Sequence, residues 1–482
     1  MKRHQVFLKA ALWSTLLWFD PAAQAQPADA VFSATLMKDG IDAYSQAGTR
    51  GDQQAADALL DEDVLFAGGD GAVQRDDKRD RSDAVAALLQ EQTVAWRRAA
   101  SMGKLAAMRR YFLRDLLAID ENGNVTEGAQ YRPAADLPLP GAPVQDTVSD
   151  WVVHHDGKTA VASYVEERTL RYGGQALHFR SLVIDTWIAQ HDGWKLFATH
   201  ATPLFYDPAA VQVPGSELDT YIGDYAIGAG AKVRISRDGD ALLSSVNGGK
   251  PTRYAAEWRD VFYATGMSPG SARAHLYFQR DATGHVTGYL SSSGLTLRRD
   301  EDGAAGANAG AAMQSVESTV LPAAHLVVHR QGDVAVATFI HERITHFYGL
   351  TLHTQYRSTE TWVKRGETWK MLALQSRALE QEMPVRDLAK DEMGDYAGSY
   401  AAGAGLAGEI SWHQGELQLH TAGAAPYPLR PIVRDDFASP GSPGTGTLFQ
   451  RNQDGRVAGF VLRCQGQDLL FVKLRPYRNI KA

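Results

Sequence analysis

The stretch DTWIAQHDGW, residues 185–194, returns as ETWVKRGETW at residues 360–369. Both tryptophans move by one amount, since 362 − 187 and 369 − 194 are each 175. The same shift carries VVHHDGKTAVASY (152–164) onto VVHRQGDVAVATF (327–339), and Tyr221, Gly223 and Tyr225 onto Tyr396, Gly398 and Tyr400. A shift held without a gap through this many turns and strands reads as a tandem duplication. Each copy can then be judged against the other.

Around the first tryptophan pair, TAVASYVEERTL, ALHFRSLVIDTWIA and WKLFATHAT are strand-length runs of β-branched and aromatic residues separated by glycine-containing turns. Upstream the period is helical. Leu36, Met37, Ile41 and Tyr44 share a face, and Gly48 is placed to end that helix. Asp52 can cap a second short helix running to Leu60, and DVLFAGGDG reads as a strand entering a turn. Ser82 can cap a third helix with Val85, Leu88, Leu89 and Trp96 on its apolar side. Helices followed by an antiparallel meander predict an α+β module.

With 482 residues the chain is expected to hold three or four modules. The hydrophobic fraction of 44% is that of a globular chain. The net charge of −7 (49 − 56) is spread without a basic stripe, which argues against a nucleic-acid partner. Lys2, Arg3 and His4, an apolar run over 6–19 and Ala23-Gln24-Ala25 have the layout of a signal peptide over residues 1–25. The expected location is therefore periplasmic or secreted, with no stable membrane insertion once that run is removed. Cys464 is the single cysteine, so an internal disulfide is excluded; it sits in a strand-like stretch that suits a buried structural thiol.

The string GDQQAADALLDEDVLFAGGDG, followed by DTWIAQHDGWKLFATHAT, resembles the SnoaL-like branch of the nuclear transport factor 2-like superfamily. Asp185-Thr186-Trp187, Asp192-Gly193-Trp194 and His200 carry most of that resemblance. It implies a curved antiparallel sheet wrapped around three helices as a cone, with a small ligand at the mouth. The chain departs from it in a long insertion between Trp96 and Val148 that includes PAADLPLPGAP.

These readings divide the chain into a cone domain over 26–210, a small all-β module over 211–300, a low-complexity linker over 301–313, a truncated second cone over 314–386 and a second all-β module over 387–482. The β-modules are loosely similar to those appended to some exported serine hydrolases, but neither GxSxG nor SxxK accompanies them. The second cone has only the strand half. A sheet lacking helices would bare an apolar face at about 25 cal/mol per Å², so it is expected to pack on the first, as an intrachain pseudo-dimer.

Alternation places Tyr164, Glu166 and Arg168 on one face of their strand, and Trp194, Leu196, Ala198 and His200 on one face of theirs. It does not say which face lines the cone. Glu166 and His200 are the candidates for a general base; as single residues, each is also the type found as a surface charge or a hydrogen-bonded structural histidine. The second copy keeps Trp362, Trp369 and Arg343 but replaces Glu166 with His341, Arg180 with Gln355 and His200 with Gln375. A site is thereby expected in the first copy, with the second as support. GAGLAG (403–408) lacks the helix that a phosphate turn requires, and HERITH (341–346) puts its histidines on opposite faces of a strand, so neither a cofactor nor a metal is expected.

The sequence thus points to an exported, non-enzymatic protein that binds a small, partly apolar ligand in the first cone, through Tyr44, Phe66, Trp96, Tyr164, Arg180 and His200. The other modules would be scaffold or a surface for a protein partner. The competing reading is an acid/base enzyme of the ketosteroid-isomerase or polyketide-cyclase type; a third is a purely structural or interaction protein.

Overall fold

The computed structural model describes residues 28–474 apart from 68–72, 76–83, 132–143, 173, 228–230, 268–272, 301–316, 348–349, 380–384, 386–389, 404–405, 414, 422–424, 441–444 and 465. The leader, the Ser82 cap, PAADLPLPGAP and the linker therefore lie outside or almost outside the described residues.

The chain opens with α1 (Ala28–Arg50), α2 (Gln53–Asp57), β1 (Leu60–Ala67) and β2 (Val73–Arg75). It then repeats that order as α3 (Ala84–Ser101), α4 (Leu105–Met108), β3 (Phe112–Ile119) and β4 (Val125–Glu127). The two runs superpose in sequence with a shift of 52: Tyr44 falls on Trp96, Gly51 on Gly103 and Leu65 on Leu117. Their joints match bond for bond. Gly51 N–H donates to Gly48 O and Asp52 N–H to Ala47 O, while Gly103 donates to Ala100 O and Lys104 to Ala99 O. Each is a Schellman turn, and it needs a glycine because φ is +66° and +67° at these two positions. The first helix therefore ends at Gly51, not at Gly48. Asp52 does cap α2, its Oδ1 accepting from Ala55 N–H at 3.1 Å.

Next come β5 (Val144–Asp156), β6 (Thr159–Tyr172), β7 (Gln175–Gln190) and β8 (Gly193–Pro203), which with β3 and β4 form one sheet in the order β4-β3-β8-β7-β6-β5. Strands β9 to β16, within residues 223–299, close into a barrel. A second sheet follows, from β17 (Glu317–Val320), β18 (Ala324–Gln331), β19 (Val334–Phe347), β20 (Leu350–Arg365) and β21 (Thr368–Ala378). Strands β22 to β29, within residues 398–473, close a second barrel. Both barrels open on a paired tyrosine: Tyr225 OH donates to Tyr221 O at 2.7 Å, and Tyr400 OH to Tyr396 O at 2.6 Å.

The second sheet corrects the expected domain organisation. It is completed by the start of the chain: β1 runs parallel to β21, Leu65 opposite Ala373, just as β3 runs parallel to β8, Leu117 opposite Ala198. Helix α1 lays Met37 and Ile41 on Ala335, Ala337, Phe339 and Trp362. Helix α3 lays Leu89 and Trp96 on Ala160, Ala162 and Trp187. The second cone is thus not a sheet half alone, and the first does not begin at residue 26; the apolar face that seemed bare is covered by α1. Nor is the stretch after Trp96 an insertion, since α4, β3 and β4 finish the first cone. Gly40 permits the close approach of α1: a Cβ there would meet the Trp362 ring at 3.2 Å. Gly40→Val is expected to cost about 1–3 kcal/mol by overpacking, read as a lower urea midpoint with unchanged m-value.

The outer faces of the two sheets pack together through Val161, Ile184, Ile188, Val336, Val363 and Leu372. At the centre, Thr186 Oγ1 and Thr361 Oγ1 meet at 2.8 Å, two positions 175 residues apart. The β6–β7 hairpin tip then reaches the second barrel, where Leu170, Tyr172 and Leu177 join its core.

Candidate functional site

Alternation along β6 and β7 turns Tyr164, Glu166, Asp185 and Trp187 toward α3 and leaves Val165, Ile184 and Thr186 for the other sheet. On α3 the helical spacing that buries Leu89, Thr93 and Trp96 also buries Arg97, whereas Leu88 is 41% exposed and lies outside the apolar face. Arg97 is the residue that the sequence reading missed. Its guanidinium pairs with Glu166, sends Nη2 to Tyr164 OH at 2.8 Å and sits 4.5 Å above the Trp96 ring. Tyr164 OH donates in turn to Asp185 Oδ2 at 2.9 Å, and Trp151 stacks on the Tyr164 ring. Arg168 closes the set, 3.1 Å from Glu166 and 3.4 Å from Asp146.

The charges of this network largely offset one another. Burial pushes Glu166 up, but Arg97 and Arg168 outweigh burial and hold it below the usual carboxylate range. A carboxylate with lowered affinity for a proton, already paired twice, is a poor base. Burial raises Asp185 to about 6 against the pull of Arg97. Arg97, Glu166, Arg168 and the Tyr164 hydroxyl are thus engaged with one another, whereas Thr93 Oγ1, Asp185 Oδ1 and the indole N–H groups of Trp96, Trp151 and Trp187 are buried without a hydrogen bond.

The second cone holds different residues at the same places. Ser45 replaces Arg97, Gly40 replaces Gln92, Phe339 replaces Tyr164, Leu326 replaces Trp151, and Glu360 replaces Asp185. Glu360 is one methylene longer, and Phe339 cannot give it the hydroxyl that Tyr164 gives Asp185. It instead accepts a hydrogen bond from Trp362 Nε1 at 2.8 Å; the matching Trp187 Nε1 has no partner. Glu360 is 2% exposed with no cation of the described residues acting on it, and burial raises its carboxyl to about 8, the Trp362 bond opposing. Burial and then the Glu360 charge raise the Tyr44 phenol. Further along β19, His341 stacks on Tyr356, 5.1 Å between centroids, and its Nδ1 meets Ser358 Oγ at 3.2 Å.

The six residues proposed to share a pocket do not. Trp96 and Tyr164 lie in the first cone, with Glu166. Tyr44 and Phe66 pack in the second, because α1 and β1 belong to it. Arg180 lies on the opposite face of β7 from Asp185 and reaches Glu167 at 3.2 Å, with side chains 31% and 48% exposed. His200 faces the other sheet; burial and then Arg377 and Arg357 push it down to about 3. It is neutral and remote from either cone interior, so it is no general base there. Among the described residues no group of three or more metal-ligating side chains is assembled.

No family model matches the chain, and no curated protein matches it. Solved structures do. An NTF2-like protein from Cytophaga hutchinsonii is 17% identical over 25% of this chain and 99% of its own, with a TM-score of 0.22. A putative ketosteroid isomerase from Shewanella frigidimarina is 19% identical over 23% of this chain and 92% of its own, TM-score 0.21. The hub homology domain of CamKII from Chlamydamonas reinhardtii is 18% identical over 25% and 99%, TM-score 0.22.

Proposed function

We propose that the chain is a binding protein whose small-molecule site is the interior of the second cone, with the first cone and the barrels as its frame. The observation that carries this reading is Glu360, a buried carboxyl whose hydrogen-bond partner among the described residues is the indole N–H of Trp362. Near neutral pH it is mostly protonated, so it can donate to a carbonyl or hydroxyl oxygen without a counter-ion. Met37, Ile41, Ala337, Phe339 and Met371 form the apolar surroundings. The fitting ligand is neutral and partly apolar, with one polar group. A thermal-shift screen of neutral ketones, steroids and aromatic metabolites tests it. Compounds that stabilise the protein should lose their effect in Glu360→Gln and Trp362→Phe; hits indifferent to both would sink the reading.

A second reading, proton transfer beside a carbonyl, is favoured by one fact: a carboxyl titrating near 8 with a tyrosine nearby is matched to acid/base work. Hydrogen–deuterium exchange at the α-carbon of any ketone hit, abolished in Glu360→Gln, would select it.

Glu360 also makes a prediction free of any ligand. Its folded pKa lies above the ordinary 4.5, so the folded state holds the proton that the unfolded chain releases. Stability contributed below 4.5 is lost as pH rises toward about 8, at up to about 1.4 kcal/mol per pH unit from this group. Melting temperature against pH should flatten over that window in Glu360→Gln.

The reading includes export, resting on the leader-like residues 1–25, and an origin of the two cones by duplication. The shifts of 52 and 175 and the Thr186–Thr361 contact support an intrachain pseudo-dimer.

A further inference from the structure

The face of the second sheet that carries Glu360 leads along β19 and β20 to a second polar group. Alternation from Glu360 brings Ser358 and Tyr356 onto that face. Phe339 and His341 stand opposite them on β19, and Ser376 stands opposite Ser358 on β21. Ser358 Oγ donates to Ser376 Oγ at 2.9 Å and meets His341 Nδ1 at 3.2 Å. A serine hydroxyl has a single proton, and Ser358 gives it to Ser376. The proton between Ser358 and His341 is therefore the imidazole's, carried on Nδ1. Burial, and then Arg343, push His341 down to about 4, so at neutral pH the ring carries no second proton. Its Nε2 is left as a lone-pair acceptor, and among the described residues nothing donates to it. The ring is also held in its plane: it lies 8° from parallel with Tyr356, and the Arg343 guanidinium sits 5.2 Å from that tyrosine ring.

Tying one ring nitrogen fixes what the other offers. We propose that His341 is a specificity-determining residue of the second cone, its Nε2 accepting a hydrogen bond from a hydroxyl of the ligand. The inference rests on the reading that this cone binds a neutral ligand at Glu360, and it adds a second polar group to that ligand. Four residues of β20 separate Glu360 from Tyr356, which faces His341, or roughly 13 Å of strand. The ligand class is thus an elongated neutral molecule, with a carbonyl or hydroxyl oxygen at one end for the Glu360 proton and an alcohol at the other. A carbonyl brought to Nε2 would set lone pair against lone pair and be rejected. The first cone cannot make the same selection. The shift of 175 puts Glu166 at the place of His341, Val183 at Ser358 and Ala201 at Ser376, and Glu166 is paired with Arg97 and Arg168.

The probes are the para-linked (hydroxycyclohexyl)cyclohexanone and its methyl ether, which keeps the oxygen but has no proton to offer. Titrated into the full-length protein by calorimetry, the alcohol should bind at least about tenfold more tightly than the ether. His341→Phe keeps the bulk of the ring and its stack on Tyr356, and should abolish that preference with circular dichroism unchanged. Glu360→Gln should weaken both probes alike. Without any ligand, proton–nitrogen correlation spectra of the His341 ring should show Nδ1 protonated in the parent, and the proton moved to Nε2 in Ser358→Ala. Equal binding of the two probes, an alcohol preference that survives in His341→Phe, or a parent ring protonated at Nε2 overturns the inference and leaves the Glu360 site standing. So does failure of both probes to bind while other neutral ketones stabilise the protein through Glu360. If no neutral ketone does so, both readings fall. Should His341→Phe fail to fold, Ser358→Ala decides, since it frees the tautomer and should lower the preference for the alcohol.

Discussion

Replacing Arg97 with alanine is expected to lower stability by about 3–5 kcal/mol, the cost of stranding the partner of a buried ion pair. Two acids lose a cation at once: Asp185, and Glu166, which keeps Arg168; both are buried, and Arg97 acts on each. Arg97→Lys should recover little, because one ammonium cannot reach the Glu166 oxygen and the Tyr164 hydroxyl with the fork that Arg97 uses. The pH sign distinguishes this from lost packing. In the parent, the depressed Glu166 contributes stability above its ordinary pKa of 4.5 and loses it as pH falls. In Arg97→Ala the stranded carboxyls take up protons on folding, so the deficit should shrink in acid. Urea unfolding at pH 7 and pH 5 measures it; equal deficits at both would show that packing alone was lost.

Removing residues 26–79 should have a larger effect, and it should fall at the far end of the chain. The second sheet would lose the cover of Met37, Ile41, Val64 and Leu65, all buried. At roughly 1.5–3 kcal/mol for each fully buried side chain, that is roughly 6–12 kcal/mol, comparable to the whole stability of a domain. Limited proteolysis of the shortened protein should therefore cut within 317–378 and spare 144–203, although the deletion is nearer in sequence to the latter. Cleavage within 144–203 first would contradict the pairing of α1 and β1 with the second sheet.

The strand half of each cone was legible because sheet registers constrain many residues. Ala160 faces Trp187 and Ala335 faces Trp362, and both ladders bulge at the tryptophan, so the spacing of 175 had to survive. The helical repeat left a thinner trace. Only one face of a helix is held by packing, so Met37 and Leu89 or Tyr44 and Trp96 match while the residues between them drift. The shift of 52 is present in the sequence, but α1 and α3, which it relates, lie before residue 102, and the strands that α1 covers begin only at residue 317. Arg97 was hidden for another reason: a charge beside Trp96 looks solvated until Glu166, 69 residues on, is known to stand opposite. His200 and Arg180 were misplaced because alternation gives two faces and does not say which is inside.

The pairing of the first residues with the fifth sheet-forming stretch of the chain sets a timetable. The strands that α1 must cover begin at residue 317, about 240 residues after β2 ends. At synthesis rates of about 5–20 residues per second, roughly 12–50 s separate the two. For that interval Met37 and Ile41 lack the sheet they pack on, while the corresponding sheet of β5 to β8 is already made and offers a nearly equivalent surface. Helix α3 is the competitor that must already hold that surface. The Arg97–Glu166 pair, which Ser45 of α1 cannot form, is then an address that keeps the first helix from docking in the wrong cone.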